Sequence, residues 1–553
     1  MRKRADADNA TGPLTQTWVL ALGVAVLAVV LAVVFVNPRQ WSRGFLINEE
    51  MYFAQLARSL ADGEGYVTYT VNPFVADEIE GLPVQEFTRP PAYPLFLAGL
   101  LKLGLDELAA GIGLSIAWLA ITVAGFYVLA NRLLGSWRIS LFLCGIYLAT
   151  STTLFHGSTT APEMMFDALF LLICLCLLSP TGWRSFAAGV LLRLGMATKM
   201  LFAPYLVLVP AYLAWVAVFG HEGSGNSGDS RAGRAWNRAA LQRAAKLLAS
   251  LAVGLIACSI IISMLTSTPA AAQVETLGRY SLNFLMETSD FPRIASPWLT
   301  LDPPSAWSYF AEKPDELVKR TARLMSRTPT VINEVGTLPL QGSLGLLLLV
   351  VFALAATAGW PQPEAETRRF LWFSVAAFIV TLPAVWAYHV KARYFFQLYP
   401  LFLVMIAAQA ERLRGSWVRI APRTRRAVIS VAVFVLVAYP TAWTLREGYR
   451  NPGAFLSRGM AVHSVDYQVL AEDIREHTPA GAIVVTDFGY ELPFLTGNPT
   501  IFPPLAPQEL RWVLERFDVA VVAIRPAHHP GFSDVLTDFE LRVERPGYAI
   551  YVR

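Results

Sequence analysis

The stretch Ile47-Asn-Glu-Glu-Met-Tyr-Phe-Ala-Gln-Leu-Ala-Arg-Ser-Leu-Ala-Asp-Gly-Glu-Gly-Tyr66 begins shortly after the first strongly apolar run of the chain, Trp18 to Val36. That run has 19 residues, against roughly 20 for a helix that crosses a bilayer. It is longer than a signal-peptide core and no small-residue cleavage site follows it, so a retained anchor is expected. Within the quoted stretch, Tyr52, Phe53, Leu56, Ala57 and Leu60 recur at helical spacing and describe an amphipathic helix able to lie in a membrane interface. Glu49 and Glu50 stand at its N-terminal end, where the helix dipole favours a carboxylate. The Gly63-Glu-Gly-Tyr66 turn ends it. One carboxylate of such a pair can take a proton from a hydroxyl while its neighbour orients it or binds a cation.

Working outward, the composition is that of an integral membrane protein. Of 553 residues, 55% are hydrophobic and 16% charged, and the mean hydropathy is +0.45. Soluble domains are about a quarter charged. Further apolar runs of spanning length lie near 109–134, 139–155, 160–178, 185–200, 201–219, 245–266, 342–359, 370–388, 394–411 and 427–443, which with the first makes eleven. If the N-terminus is cytoplasmic, Arg132, Arg138, Arg184, Arg231, Arg234, Arg238, Arg243, Arg368, Arg369 and the cluster Arg412 to Arg426 all fall on inner loops. The first outer loop, 37–108, has ten acidic residues against five basic ones. An odd number of spans then puts the C-terminus outside. Arg423-Thr-Arg-Arg426 reads as a topology determinant, and no nucleic-acid partner is expected. The four cysteines, Cys144, Cys174, Cys176 and Cys258, all lie in apolar runs and form neither a disulfide framework nor a metal site.

Residues 1–445 are therefore expected to form a transmembrane unit and residues 446–553 a small extracytoplasmic α/β domain. In the tail, helices are expected over 465–477 and 507–517, with strands over 482–486, 519–524, 539–544 and 548–552. Residues 221–237 read as a flexible inner linker. Residues 267–341 read as a long outer loop with helical character near 312–326. Asp487, Glu491, His528 and His529 have no partner at motif spacing and read as loop residues.

The string Glu49-Glu50-Met-Tyr-Phe…Leu56-Ala57-Arg58…Gly65-Tyr66 resembles the first outer loop of GT-C membrane glycosyltransferases. The branch in question contains protein O-mannosyltransferases and the aminoarabinose transferases that modify lipid A. Its pattern is Asp-Glu-x-x-Tyr followed by Arg/Lys-Pro-Pro, and Arg89-Pro90-Pro91-Ala92-Tyr93-Pro94 is similar to the second element. Glu49 stands where the family usually has its catalytic Asp, and the choice between Glu49 and Glu50 stays open. Glu163 matches the family's acidic residue at the outer end of a later span, with Asp167 one turn deeper. Met196-Ala-Thr-Lys199-Met is similar to a Thr-Lys-Gly element, and His389-Val-Lys391-Ala-Arg393-Tyr394 to a late Arg-Tyr motif.

The resemblance implies a GT-C fold and an inverting transfer of a monosaccharide from a polyprenyl-phosphate-linked donor to a hydroxyl of lipid A, a glycan, a protein or a cell-wall polymer. Glu49, Glu50 and Glu163 would be catalytic. Arg393, Lys199, Arg89 and His389 would hold the donor phosphate, and Tyr52, Arg58, Tyr93, Asp167 and Tyr394 would shape the substrate site. No cofactor is obligatory, although a divalent cation between Glu49 and Glu163 is allowed for. The membrane would be a bacterial inner membrane. The rival from another class is a flippase or transporter of lipid-linked sugars, which also needs intramembrane charges.

Overall fold

The computed structural model describes residues 12–35, 48–71, 81–86, 89–219, 230–266, 365–388, 395–412, 466–504 and 507–553, with short pieces between 311 and 326 and at 442 and 446. The expected spans near 342–359 and 427–443, most of the long outer loop, and His389, Lys391, Arg393 and Tyr394 lie outside the described residues.

The first helix, α1 (Gly12–Phe35), precedes α2 (Asn48–Asp62), the amphipathic helix that carries the two glutamates in its first turn. Gly63 and Gly65 at φ 85° and 93° end it in the left-handed region open to glycine. Short strands β1 (Val67–Thr68), β2 (Thr70–Val71) and β3 (Val84–Gln85) follow. Then comes α3 (Ala92–Lys102). This last helix stands inside what reads as loop in the sequence, because Pro90 and Pro91 suit a helix entrance and Pro94 falls in the first turn, where a missing N–H costs nothing.

The bundle continues through α4 (Glu107–Leu134), α5 (Trp137–Ala149), α6 (Ser151–His156), α7 (Glu163–Leu178), α8 (Gly182–Met196), α9 (Tyr205–Phe219), α10 (Ser230–Thr266), α11 (Ala365–Tyr388) and α12 (Tyr399–Arg412). Four helical segments among the described residues are long and apolar enough to cross a membrane, Thr15–Val34, Glu107–Leu134, Met200–Phe219 and Arg238–Thr266. The run expected at 139–155 is instead broken at Thr150, whose extended backbone separates α5 from α6. The inner linker is shorter than expected too, because helix begins at Ser230. With 37 residues, α10 is about 55 Å long and exceeds the ~30 Å hydrocarbon core. Its exposed Arg238, Arg243 and Lys246 belong to the end that projects.

Close helix packing here depends on glycine. A Cβ on Gly189 of α8 would lie 2.1 Å from the Leu251 carbonyl oxygen of α10, and one on Gly254 would lie 2.2 Å from that of Phe186. The two backbones thus touch reciprocally, as small residues permit between membrane helices. Arg193 is satisfied in the same seam by Ser259 Oγ at 2.9 Å.

The tail contains α13 (Tyr467–His477), β4 (Ile483–Thr486), α14 (Glu491–Thr496), β5 (Thr500–Ile501), α15 (Pro507–Arg516), β6 (Val519–Ile524), β7 (Glu540–Arg545) and β8 (Tyr548–Val552). The six-stranded sheet has the order β2-β5-β4-β6-β8-β7, parallel from β2 to β6 and antiparallel thereafter. Alternate strand residues face opposite layers. Val485, Val522 and Ile524 pack with Leu510 and Val513 of α15, while Val484, Val521 and Ala523 pack with Leu470 and Ile474 of α13. The edge strand β2 comes from the first loop, so this sheet is not built by the tail alone.

Candidate active site

Glu50 is wholly buried, and its Oε1 accepts a hydrogen bond from the Thr160 backbone N–H at 2.6 Å. Thr160 belongs to the turn between α6 and α7, three residues before Glu163. That turn sits against α4 at a glycine. A Cβ on Gly111 would fall 2.3 Å from Thr160 Oγ1, so the small residue lets the turn approach. Glu163 opens α7, is 4% exposed, and its Oε1 accepts from Lys199 Nζ at 2.7 Å. The Lys199 ammonium also stands 5.6 Å from the Phe166 ring centre. Asp167, one turn along α7, accepts from Tyr147 Oη at 3.3 Å, and both Lys199 and Glu163 act on it electrostatically.

The Arg89–Pro94 element joins the same place. The Ala92 N–H donates to the Ala197 carbonyl at 2.7 Å, tying the start of α3 to the Thr198-Lys199 turn. Tyr93 Oη lies 3.2 Å from Ser115 Oγ. Burial pushes this phenol well up, and the nearby charges of Glu50 and Glu163 add to the push. Four motifs separated in sequence therefore meet: Glu50, Tyr93, Glu163 and Lys199.

Arg89, three residues before Ala92 in that element, sits in a cage that its own neighbours build. Its N–H donates to Glu86 Oε1 at 2.7 Å and its carbonyl accepts from Tyr66 Oη at 2.9 Å. Its guanidinium carbon is 5.9 Å from the Tyr52 ring centre and 5.7 Å from that of Tyr490. The Tyr52 hydroxyl donates to Glu86 Oε2. Burial raises the Tyr52 phenol well above its ordinary value, and Glu86 and Tyr490 act the same way.

Not every expected residue joins. Arg58 donates to Glu107 Oε1 at 2.7 Å and covers the Phe494 ring at 4.6 Å. It braces α2 against α4 and α14. Glu49 is only partly buried next to Glu50. The cation allowed for between Glu49 and Glu163 has a resident competitor in the Lys199 ammonium, and among the described residues no three His, Cys, Asp or Glu side chains group as metal ligands.

Sequence reasoning missed Glu86, which carries no motif, and Tyr490, some 400 residues beyond the helix it touches. The tail residues read as loop have partners that the sequence does not show. Asp487 is paired with His529 Nε2 at 2.7 Å and accepts the Arg525 N–H at 2.6 Å. Glu491 is buried beside Tyr467, and burial raises its carboxyl to about 7. Asp487 and His529 do lie in the turns that follow β4 and β6, where the strand ends bring them together, whereas Glu491 opens α14.

No protein-family model and no curated protein matches this sequence. Solved structures do. ArnT from Cupriavidus metallidurans bound to undecaprenyl phosphate matches with a TM-score of 0.51 and 14% identity, over 98% of each chain. The archaeal oligosaccharyltransferase AglB from Archaeoglobus fulgidus, in complex with an inhibitory peptide and a dolichol-phosphate, matches with a TM-score of 0.52 and 13% identity, over 92% of this chain and 69% of that one. A second Archaeoglobus fulgidus oligosaccharyltransferase structure, tethered to an acceptor peptide, matches with a TM-score of 0.52 and 11% identity, over 91% and 69%. The fold they have in common with this chain is GT-C.

Proposed function

We propose that this protein is a membrane glycosyltransferase that moves a monosaccharide from a polyprenyl-phosphate-linked donor to a hydroxyl acceptor at the extracytoplasmic face, inverting the anomeric carbon. The supporting observation is the meeting of Glu50, Glu163 and Lys199 around the Thr160 turn inside a GT-C fold. Buried acids and a cation drawn from separate elements of a membrane bundle are costly to assemble and are kept where chemistry needs them. Two of the similar structures hold a lipid phosphate, undecaprenyl phosphate in one and a dolichol-phosphate in the other. A lysine paired with Glu163, and an arginine in the element tied to the same turn, suit that kind of ligand.

In this mechanism the acceptor oxygen attacks the anomeric carbon from the face opposite the phosphate. Glu50, the member of the pair that faces the Thr160–Glu163 turn, takes the acceptor's proton, and Glu49 supports it. The bond from the anomeric carbon to the phosphate oxygen breaks, and its electron pair leaves with the lipid phosphate. Lys199, Arg89 and Arg393 stabilise the charge that collects there. Lys199 has three N–H donors and spends one on Glu163, so it can serve the carboxylate and the phosphate together. Glu163 holds that ammonium in place and orients the acceptor.

Purified protein in detergent, given radiolabelled polyprenyl-phosphate monosaccharides together with lipid A, glycan, protein or cell-wall polymer as acceptor in turn, should label one acceptor and release polyprenyl phosphate. Protein that releases none from any such donor, yet carries the lipid across a vesicle membrane, would be a flippase or transporter instead.

A further inference from the structure

The β4–α14 turn presents Tyr490 to the first loop, and that turn is fixed from several sides. The Gly489 carbonyl accepts from Thr70 Oγ1 at 2.6 Å and from Thr500 Oγ1 at 2.8 Å, one hydroxyl from β2 and one from β5. The Phe488 N–H donates to Thr486 Oγ1 at 3.1 Å. Gly489 leaves no room for a side chain, since a Cβ there would sit 2.8 Å from the Phe502 ring. The same Phe502 ring backs Tyr490, centre to centre at 5.0 Å. On its other side Tyr490 meets the Tyr52 ring at 4.5 Å and the Arg89 guanidinium at 5.7 Å. Two hydroxyls, a glycine and a backing ring thus converge to hold one tyrosine. That tyrosine reaches out of the tail to the arginine of the Arg89–Pro94 element, whose Ala92 is tied to the Thr198-Lys199 turn.

We propose that Tyr490 is a positioning residue through which the tail aims Arg89 at the donor's phosphate. Together with Tyr52 it offers the guanidinium two aromatic faces, which favour a cation and steady a side chain that otherwise has many rotamers. The backbone of Arg89 is already set by Glu86 and Tyr66, and Tyr490 adds the tail's contact with its charged end. The inference builds on the proposed use of a lipid-phosphate donor and assigns the tail a share in binding it.

The test uses full-length protein in detergent and measures binding of polyprenyl phosphate alone, alongside donor turnover. Tyr490→Leu keeps the bulk and removes the aromatic face. It should weaken polyprenyl-phosphate binding and raise the donor KM by about tenfold, the upper range for a desolvated cation–π contact, with kcat little changed. Tyr490→Phe should behave as wild type. In an Arg89→Ala background, Tyr490→Leu should add no further loss, since the two residues act as one unit. If wild-type protein binds polyprenyl phosphate and Tyr490→Leu binds it equally well, or its loss adds in full to that of Arg89→Ala, the role assigned to Tyr490 is wrong while the donor reading stands. If wild-type protein binds no polyprenyl phosphate, both fall.

Discussion

Two groups of buried acids in this molecule are held in different ways. In the tail, Asp473 receives two bonds from Arg545, at 2.6 and 2.8 Å, and one from Tyr548 at 2.6 Å. Its partners lie in the same small α/β layer. In the bundle, Glu50, Tyr93, Glu163 and Lys199 come from four separate elements, and the Thr160 turn that joins them depends on a glycine in a fifth. The tail acid completes a local fold. The bundle acids gather against the cost of desolvation. Burial and pairing alone do not mark a site; convergence from distant elements is the informative difference.

The largest test of this contrast is Glu50→Gln, which should lower transfer by about a thousandfold at an unchanged expression level, read as initial rates of polyprenyl phosphate release. Removing Asp473 should leave the rate per folded molecule alone. Next, Lys199→Ala strands Glu163 without its cation. Breaking such a buried pair costs about 3–5 kcal/mol, so a lower melting temperature should accompany a fall of about a hundredfold in rate from the lost phosphate contact, whereas Lys199→Arg should retain part of both. Gly111→Ala should then reduce kcat by about tenfold or more, since relieving a 2.3 Å contact at Thr160 takes a shift of roughly 1 Å, enough to move Glu50. Pairing it with Thr160→Ala, which deletes two of the three clashing atoms, should restore part of the rate.

The smallest effect concerns stability in the tail and its sign differs between two acids. Glu491 has a folded pKa raised to about 7, so the folded state binds more protons than the unfolded one between the ordinary carboxylate range and that value. Stability therefore falls as pH rises through this window, and Glu491→Gln should flatten the dependence in thermal scans of the full-length protein. Asp473 is shifted the other way, held below the usual range chiefly by its hydrogen bonds from Arg545. Its contribution is present above that range and is lost only as pH falls through the lowered folded value.

Local pattern announced the local features. The apolar periodicity of Tyr52, Phe53, Leu56 and Leu60 gave α2, and the alternation of short apolar strands and helices gave β4, β6, β7 and β8 nearly at their ends. The motif residues Glu50, Glu163, Lys199 and Arg89 were visible because each sits in a stretch that resembles a motif of GT-C glycosyltransferases. What was not visible needed three-dimensional neighbours. Glu86 is a single acid in a loop, and only the Tyr52 hydroxyl and Arg89 amide make it notable. Nothing in Gly489-Tyr490 points to a helix 430 residues earlier. Arg58 has the composition of a site residue and the contacts of a brace, which Glu107 and Phe494 decide. The helix α3 was hidden by two prolines that break a pattern when read as a run and open a helix when read as an entrance.

The pairing of Thr70 with Thr500 in the sheet has a consequence for biogenesis. Strand β2 leaves the ribosome long before the neighbour it hydrogen-bonds, because the helical bundle lies between Thr70 and Thr500 in the sequence. The loop carrying the glutamates must wait through the insertion of the bundle before its edge is matched. That edge of the sheet therefore closes only after the intervening helices have been made.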